Sequence, residues 1–114
     1  MTQGIVDFND WQEIELRVGK IIEVFDIEGA DKLYKFIVDL GSKIGNRTIC
    51  AGIKEHYSKK ALKGKKISVF VNLKPKKLRG IESQGMILAA CTDDESKVIL
   101  VTPEKDIGVG SRIY

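Results

Sequence analysis

The sequence predicts an all-β fold, a closed or nearly closed antiparallel barrel of five to six short strands. Most apolar residues recur with a period of two, which is typical of strands that bury one face. Only one internal segment has the composition of a helix, and it falls between the third and fourth strands. Closing such a sheet removes the exposed edges that would otherwise pair with other chains. The 114 residues, 43% of them hydrophobic, predict one domain over residues 1–114.

The first predicted strand, residues 14–24, is long and contains Gly19. A glycine inside a strand predicts a bulge or a sharp bend, which lets one strand serve two sides of a small barrel. A turn at residues 28–31 leads into the second strand, residues 34–40, where apolar residues alternate with polar ones.

The middle of the chain predicts a strand, a helix and another strand. The third strand covers residues 47–51 and the fourth covers residues 67–71. Between them, residues 55–62 predict a short helix that Gly64 ends. A helix in this position is expected in an oligonucleotide/oligosaccharide-binding (OB) barrel.

A basic loop at residues 73–83 precedes the last two predicted strands. Residues 86–91 are continuously apolar, which predicts a strand buried on both faces. A turn at residues 93–96 leads to the sixth strand, residues 98–102, and Pro103 ends it.

Both ends of the chain carry weaker patterns. Asp7 is a candidate cap for one helical turn containing Phe8 and Trp11, whose rings would plug one end of the barrel. Gly108 and Gly110 predict a loop-like tail that still offers apolar contacts.

The sequence shows no pattern of a metal site, a cofactor site or an active site. Cys50 and Cys91 lie in apolar surroundings without a C-x-x-C pair, and His56 has no second ligand at metal spacing. We therefore expect two buried free thiols and one surface imidazole, although the sequence leaves a disulfide open. No acid/base pair, activated nucleophile or phosphate-binding glycine loop is present, so we expect no enzyme activity.

The chain contains no apolar run near the ~20 residues needed to cross a bilayer, and its first ten residues do not resemble a signal peptide. We expect a cytoplasmic protein that does not associate with a membrane.

Positive charge is concentrated in residues 54–79, which hold ten Lys or Arg against the single acid Glu55. This segment carries +9, whereas the rest of the chain sums to −6. Such a distribution is typical of a local field for an anionic partner. A lysine-rich solvated surface is the alternative, and it suits Lys59, Lys60, Lys63, Lys65 and Lys66 on the predicted helix and its turn.

The basic loop combines groups that suit RNA. Pro75 stiffens the backbone that presents the lysines, and Arg79 can hold a phosphate with two parallel N–H bonds. Asn72, Ser83 and Gln84 add neutral groups that match ribose hydroxyls or base edges.

Residues 72–86, N-L-K-P-K-K-L-R-G-I-E-S-Q-G-M, closely resemble the tRNA-binding domain at the C-terminus of many methionyl-tRNA synthetases. The same domain occurs as a stand-alone tRNA-binding protein and in synthetase-associated cytokine precursors. Residues 16–21, 30–34, 38–41 and 110–114 also resemble the family, so the resemblance covers nearly the whole chain. One departure is Glu28-Gly29, where the family commonly has a proline before A-D-K-L.

The resemblance implies a non-catalytic OB fold that binds the folded body of tRNA with little sequence specificity. It would act in trans or as an accessory resembling a methionyl-tRNA synthetase β subunit, with that or another aminoacyl-tRNA synthetase as partner. The family motifs imply that the RNA contacts are Lys32, Asn72, Lys74, Lys77, Arg79, Ser83 and Met86. We add Lys76 and Gln84 on chemical grounds. The tail and the N-terminal turn would form a homodimer, as in stand-alone members.

Three alternatives remain open at this point. Met86 also suits a core position at the start of a strand, and Ser83 also suits a turn. A related branch of the fold acts as a small dimeric export chaperone that binds unfolded peptides. That function needs a groove lined by apolar side chains, whereas the sequence predicts a basic groove rim.

Overall fold

The computed structural model describes residues 4–114, and it confirms an all-β, nearly closed antiparallel barrel of the OB type. Its elements are α1 (Phe8–Glu13), β1 (Leu16–Asp26), β2 (Tyr34–Asp39), β3 (Asn46–Ala51), α2 (Lys59–Leu62), β4 (Lys66–Phe70), β5 (Lys76–Leu78), β6 (Ile81–Ser83), β7 (Met86–Ile87), β8 (Ala89–Cys91), β9 (Val98–Leu100) and β10 (Arg112–Ile113). The main sheet has the order β3-β2-β1-β4-β7, and β10 also pairs with β1. Two ribbons, β5–β6 and β8–β9, complete the barrel, and α2 lies between β3 and β4 as expected.

Strand β1 serves two sides of the barrel. Its first half, Leu16–Lys20, pairs with β4, and its second half, Lys20–Asp26, pairs with β2. The register shift lies between Ile21 and Glu23, so the bulge predicted at Gly19 occurs just after it.

Gly19 instead leaves room for two buried side chains, those of Val38 and Leu40. A Cβ atom at this position would lie 2.7 Å from Cγ1 of Val38 and 2.9 Å from Cδ2 of Leu40. Contacts of this length do not occur between packed carbon atoms, so any side chain here would have to displace the buried side chains of Val38 and Leu40.

The core lies inside the barrel and follows the predicted alternation. Along β2, Tyr34, Phe36 and Val38 are buried while the intervening residues are partly exposed. The largest fully buried side chains are Phe36, Ile21, Leu40, Ile49, Leu62, Ile67, Val38 and Val69. They come from β1 to β4, from α2 and, for Leu40, from the residue after β2, so they hold the barrel together from all sides.

Side chains help to close the barrel at the outer edge of β3. The backbone N–H of Cys50 donates to Oγ of Ser83 at 2.9 Å, and that of Thr48 donates to Oε1 of Gln84 at 3.2 Å. The N–H of Gln84 donates in turn to the carbonyl of Thr48 at 2.8 Å. These backbone groups at the edge of β3 thereby have hydrogen-bonding partners, as buried backbone groups require.

Helix α2 is shorter than the predicted helix at residues 55–62, which is a correction. The carbonyl of Ile53 accepts from the N–H groups of His56 and Tyr57, so a separate turn precedes the helix. Ser58 then acts as the N-cap, with extended backbone and an Oγ that accepts from the N–H of Ala61 at 3.2 Å.

The predicted strand at residues 86–91 is also corrected. It divides into β7, which pairs with β4, and β8, which pairs only with β9. The segment is not buried on both faces, since Met86 is 43% exposed and Cys91 is exposed. Of the two cysteines, both free, only Cys50 is buried as predicted.

The predicted sixth strand, at residues 98–102, is shorter than expected and ends at Leu100 as β9.

The termini differ from expectation in two ways. The helical turn α1 exists and Asp7 occupies its N-cap position, but the Asp7 side chain makes no capping hydrogen bond. Phe8 is 69% exposed and therefore does not plug the barrel, while Trp11 is partly buried. The tail, expected to be loop-like, contributes β10.

No helix within residues 4–114 has the length and apolar character required to span a membrane.

Candidate nucleic-acid interface

The predicted basic loop is a β-hairpin. Strands β5 and β6 pair with Leu78 opposite Ile81, which leaves only Arg79 and Gly80 in the turn. Their φ angles are 54° and 79°, so both lie in the left-handed region that a two-residue type I′ turn requires. We call residues 74–83 the basic hairpin. Gly80, the glycine after Arg79, is the sequence feature that indicates this turn.

An apolar cluster anchors the basic hairpin to the barrel. It consists of Ile27, Ala30 and Cys50, with Leu33, Leu78 and Ile81 packed against it. The cluster joins the β1–β2 loop to the hairpin, so Lys32 lies on a loop adjacent to the hairpin lysines. The departure at Glu28-Gly29 does not prevent this packing, because Gly29, with φ 77°, forms the turn.

Internal ion pairs engage four lysines of the basic segment, Lys54, Lys59, Lys63 and Lys66. Lys54 and Lys59 both contact Asp26, and their hydrogen bonds, that of Lys59 first, hold the pKa of this carboxyl below its usual range. Two further pairs join Lys63 to Glu23 at 2.8 Å and Lys66 to Asp106 at 2.7 Å.

The hairpin cations differ from these lysines. Within residues 4–114, no carboxylate lies within 4 Å of the cationic groups of Lys32, Lys74, Lys76, Lys77 or Arg79. Lys60 and Lys65, near α2, also lack such a contact among these residues, so positive charge remains there as well as on the basic hairpin and the loop beside it, which together carry five such cations.

A groove of about 500 Å³ lies beside the hairpin, between β3, β7 and the β8–β9 ribbon. Its floor is apolar and is formed by Ala51, Ile53, Ile87, Leu88, Ala89 and Val98. Lys74 and Lys76 lie on its rim together with Leu73 and Met86, which are 38% and 43% exposed. Glu95 is the one carboxylate among its lining residues. The basic rim agrees with the sequence-based expectation, whereas the apolar floor was not expected from the sequence.

Alternation along β5 separates two neighbouring lysines. Lys76 lines the groove on the same side as Leu78. Lys77 does not line it and lies opposite Glu82 in the β5–β6 register. Because successive strand residues point to opposite faces, the two ammonium groups face different surroundings.

Three of the neutral residues predicted to contact RNA are engaged within the fold. Ser83 is buried, and Gln84 bonds to β3, as described above. Asn72 donates from Nδ2 to the carbonyl of Glu13 at 2.6 Å and accepts at Oδ1 from the N–H of Glu15 at 2.8 Å. These bonds hold the segment between α1 and β1. Any RNA contact by the three residues stays a prediction.

Within the described chain, no three potential metal-ligating side chains come together. Burial raises the pKa of the Cys50 thiol, whose side chain also lines the groove.

Comparisons with known proteins identify the family to which this chain is similar. The family model described as "Putative tRNA binding domain" matches residues 16–112. A methionine–tRNA ligase of Thermococcus onnurineus is 50% identical over 108 residues, which are 95% of this chain and 14% of that protein. The chain thus spans only a small part of this relative.

Two solved structures have a similar fold. The MetRS related protein of Pyrococcus horikoshii is 38% identical with a TM-score of 0.90, over 98% of this chain and all of that one. The CsaA chaperone protein of Picrophilus torridus is 36% identical with a TM-score of 0.86, over 96% of this chain and all of that one.

Proposed function

This chain belongs to the tRNA-binding domain family, and from that premise we propose that it binds folded tRNA through the basic hairpin, without catalysing a reaction. The observation that carries the proposal is the cluster of five cations, Lys32, Lys74, Lys76, Lys77 and Arg79, none of them paired with a carboxylate in the described part of the chain. Cations without internal partners are available to neutralise phosphates.

The hairpin geometry suits recognition of the RNA backbone. Arg79 lies at the tip, where its planar guanidinium can bind one phosphate with two parallel hydrogen bonds. The lysines add mobile point charges on either side. Because phosphates carry no sequence information, this mode of binding discriminates weakly among tRNAs and depends strongly on salt.

We further propose that the protein acts in the cytoplasm, in trans or as an accessory of a methionyl-tRNA synthetase or another aminoacyl-tRNA synthetase. Similarity to 14% of a methionine–tRNA ligase supports an appended or accessory role.

A homodimer is also part of the proposal. The N-terminal segment exposes Ile5, Val6 and Phe8, and the C-terminal segment exposes Tyr114, each by more than two-thirds of its surface. Phe8 and Tyr114 line one cavity between α1 and β10, so the two segments form a continuous apolar surface suited to a second copy.

The first test is binding of total tRNA across a salt series. We expect log K to fall with log salt with a slope of about −3 to −5, which corresponds to roughly four to six phosphate contacts. No binding at low salt would overturn the proposal.

A double variant locates the site. We expect Lys74→Ala with Arg79→Ala to lower the affinity for all tRNAs alike. The slope of log K against log salt should become shallower by the equivalent of about two phosphate contacts. The control is Lys60→Ala with Lys65→Ala, which removes the same charge outside the hairpin. Equal losses in both double variants would assign binding to net charge rather than to the hairpin.

The apolar groove floor favours a second candidate function, the binding of unfolded peptides. The similarity to the CsaA chaperone protein of P. torridus supports it. Suppression of the aggregation of an unfolded client, with no affinity for tRNA, would favour this function over the first.

A further inference from the structure

The apolar floor of the groove has no role in binding phosphates. Lys74 and Lys76 at the rim carry charges that suit phosphates, whereas Ala51, Ile53, Leu88 and Val98 in the same groove offer a phosphate no hydrogen-bond donor from their side chains. An anion would also lose its hydration against such a surface. The groove therefore suits a ligand that is apolar and flat on one part and anionic on the next.

We propose that the groove takes one unstacked nucleobase of the bound RNA, while the flanking phosphates lie against Lys74 and Lys76. This inference rests on the proposed tRNA-binding function and adds a requirement to it. The RNA must present an unpaired base next to the backbone that the hairpin holds.

The dimensions and chemistry of the groove fit this occupant. Its volume of about 500 Å³ lies within the range of roughly 300–1,000 Å³ that is typical of small-ligand pockets. Leu73 and Met86 stand partly exposed at its edge. A thioether makes favourable contacts with aromatic rings, so Met86 can cover one face of the base.

The proposal also predicts which RNA structures can bind in the groove. Bases in an A-form duplex are stacked and paired, and only their edges are accessible to protein. Bases in loops and at single-stranded ends can leave the stack and enter a pocket. The groove should therefore distinguish tRNA from a duplex of equal charge.

The two cysteines permit a selective block of the groove. Both line it, but Cys91 is exposed, whereas Cys50 is buried and its thiol pKa is raised by that burial. The thiolate is the reactive form, so N-ethylmaleimide should form a thioether at Cys91 alone. Mass spectrometry would verify the single adduct.

The test compares alkylated and unmodified protein with two ligands, total tRNA and a blunt RNA duplex carrying the same number of phosphates. We expect alkylation to weaken tRNA binding about tenfold, in the lower part of the range for losing one stacked base, and to change duplex binding less than twofold. The Cys91→Ser variant treated with the same reagent is the matched control and should keep its tRNA affinity.

A second variant works without a bulky label. Met86→Ala removes only the thioether side chain at the groove edge, and we expect a roughly threefold loss for tRNA and none for the duplex.

Several outcomes overturn the proposal. Unchanged tRNA affinity after alkylation would mean that no base enters the groove, and equal losses for tRNA and duplex would mean that the label obstructs the rim. If alkylation abolishes suppression of client aggregation and leaves tRNA binding intact, the groove belongs to a peptide. The proposed function fails separately, when unmodified protein does not bind tRNA at low salt.

Discussion

Arg79 occupies a backbone conformation that its side chain does not favour. Its φ of 54° is one of two positive values among the described residues other than glycine, and the turn needs this conformation. A left-handed conformation costs an L-residue about 1–2 kcal/mol. Arginine at the exposed tip of a basic hairpin is therefore better explained by contact with a ligand than by stability.

Replacing Arg79 should separate stability from binding. Arg79→Asn creates Asn-Gly, the preferred pair for a type I′ turn. We expect the free energy of unfolding in urea to stay unchanged or rise by about 0.5–1 kcal/mol, and tRNA affinity to fall severalfold. A destabilised variant, or one that binds tRNA fully, would contradict this account.

For the neutral residues of the motif, the sequence does not predict whether each side chain contacts a ligand or bonds within the fold. Asn72, Ser83 and Gln84 carry groups that serve equally well as ligands or as internal hydrogen-bonding partners. Only their surroundings distinguish the two roles. Ser83 is buried against the N–H of Cys50, and Asn72 bonds to two backbone groups.

Among the elements, the basic hairpin decides which side chains face the groove. Its pairing places Lys76 and Leu78 on the groove side and Lys77 on the other side, across from Glu82. Two adjacent lysines of equal charge thus differ only in the face on which they lie.

We expect Lys76→Ala to reduce tRNA affinity about fivefold and Lys77→Ala to reduce it less than twofold. Each variant is the control for the other, because both lose one charge from the same strand. Fluorescence anisotropy at fixed salt would measure the difference. A larger loss for Lys77→Ala would place the RNA on the outer face of the hairpin.

The strands that the sequence predicts well are those that alternate over five residues or more. Strands β2, β3 and β4 were predicted to within about one residue at each end. The short strands β5, β6 and β10 were missed. Two or three residues carry too little periodicity to identify a strand, and tertiary pairing stabilises them instead. The same reason explains the unexpected break between β7 and β8.

At the scale of the whole molecule, folding decides which cations remain available. Asp26, Glu23 and Asp106 are distant in sequence from the lysines that they contact. Such exposed pairs add little stability, but they engage Lys54, Lys59, Lys63 and Lys66 and leave the hairpin cations, together with Lys60 and Lys65, without a carboxylate partner among the described residues.

The proposed dimer makes a prediction at this scale. We expect Phe8→Glu to convert a dimer to a monomer, because a carboxylate would be desolvated at the contact, and to weaken tRNA binding if two hairpins engage one RNA. Light scattering with size-exclusion chromatography measures the mass. Ile99→Glu, at another exposed apolar residue, is the control. A monomeric wild-type protein would refute the dimer.

The sequence by itself determined the barrel, the positions of its main strands along the chain, the position of α2 and the basic segment with its family motif, because periodicity, turn residues and charge are local properties of the chain. The tertiary structure alone decided which polar groups of the motif form hydrogen bonds within the fold and which lysines form ion pairs with carboxylates. It also decided that an apolar groove lies beneath the basic rim. Each of these depends on residues far apart in sequence, which meet only when the sheet curls and closes.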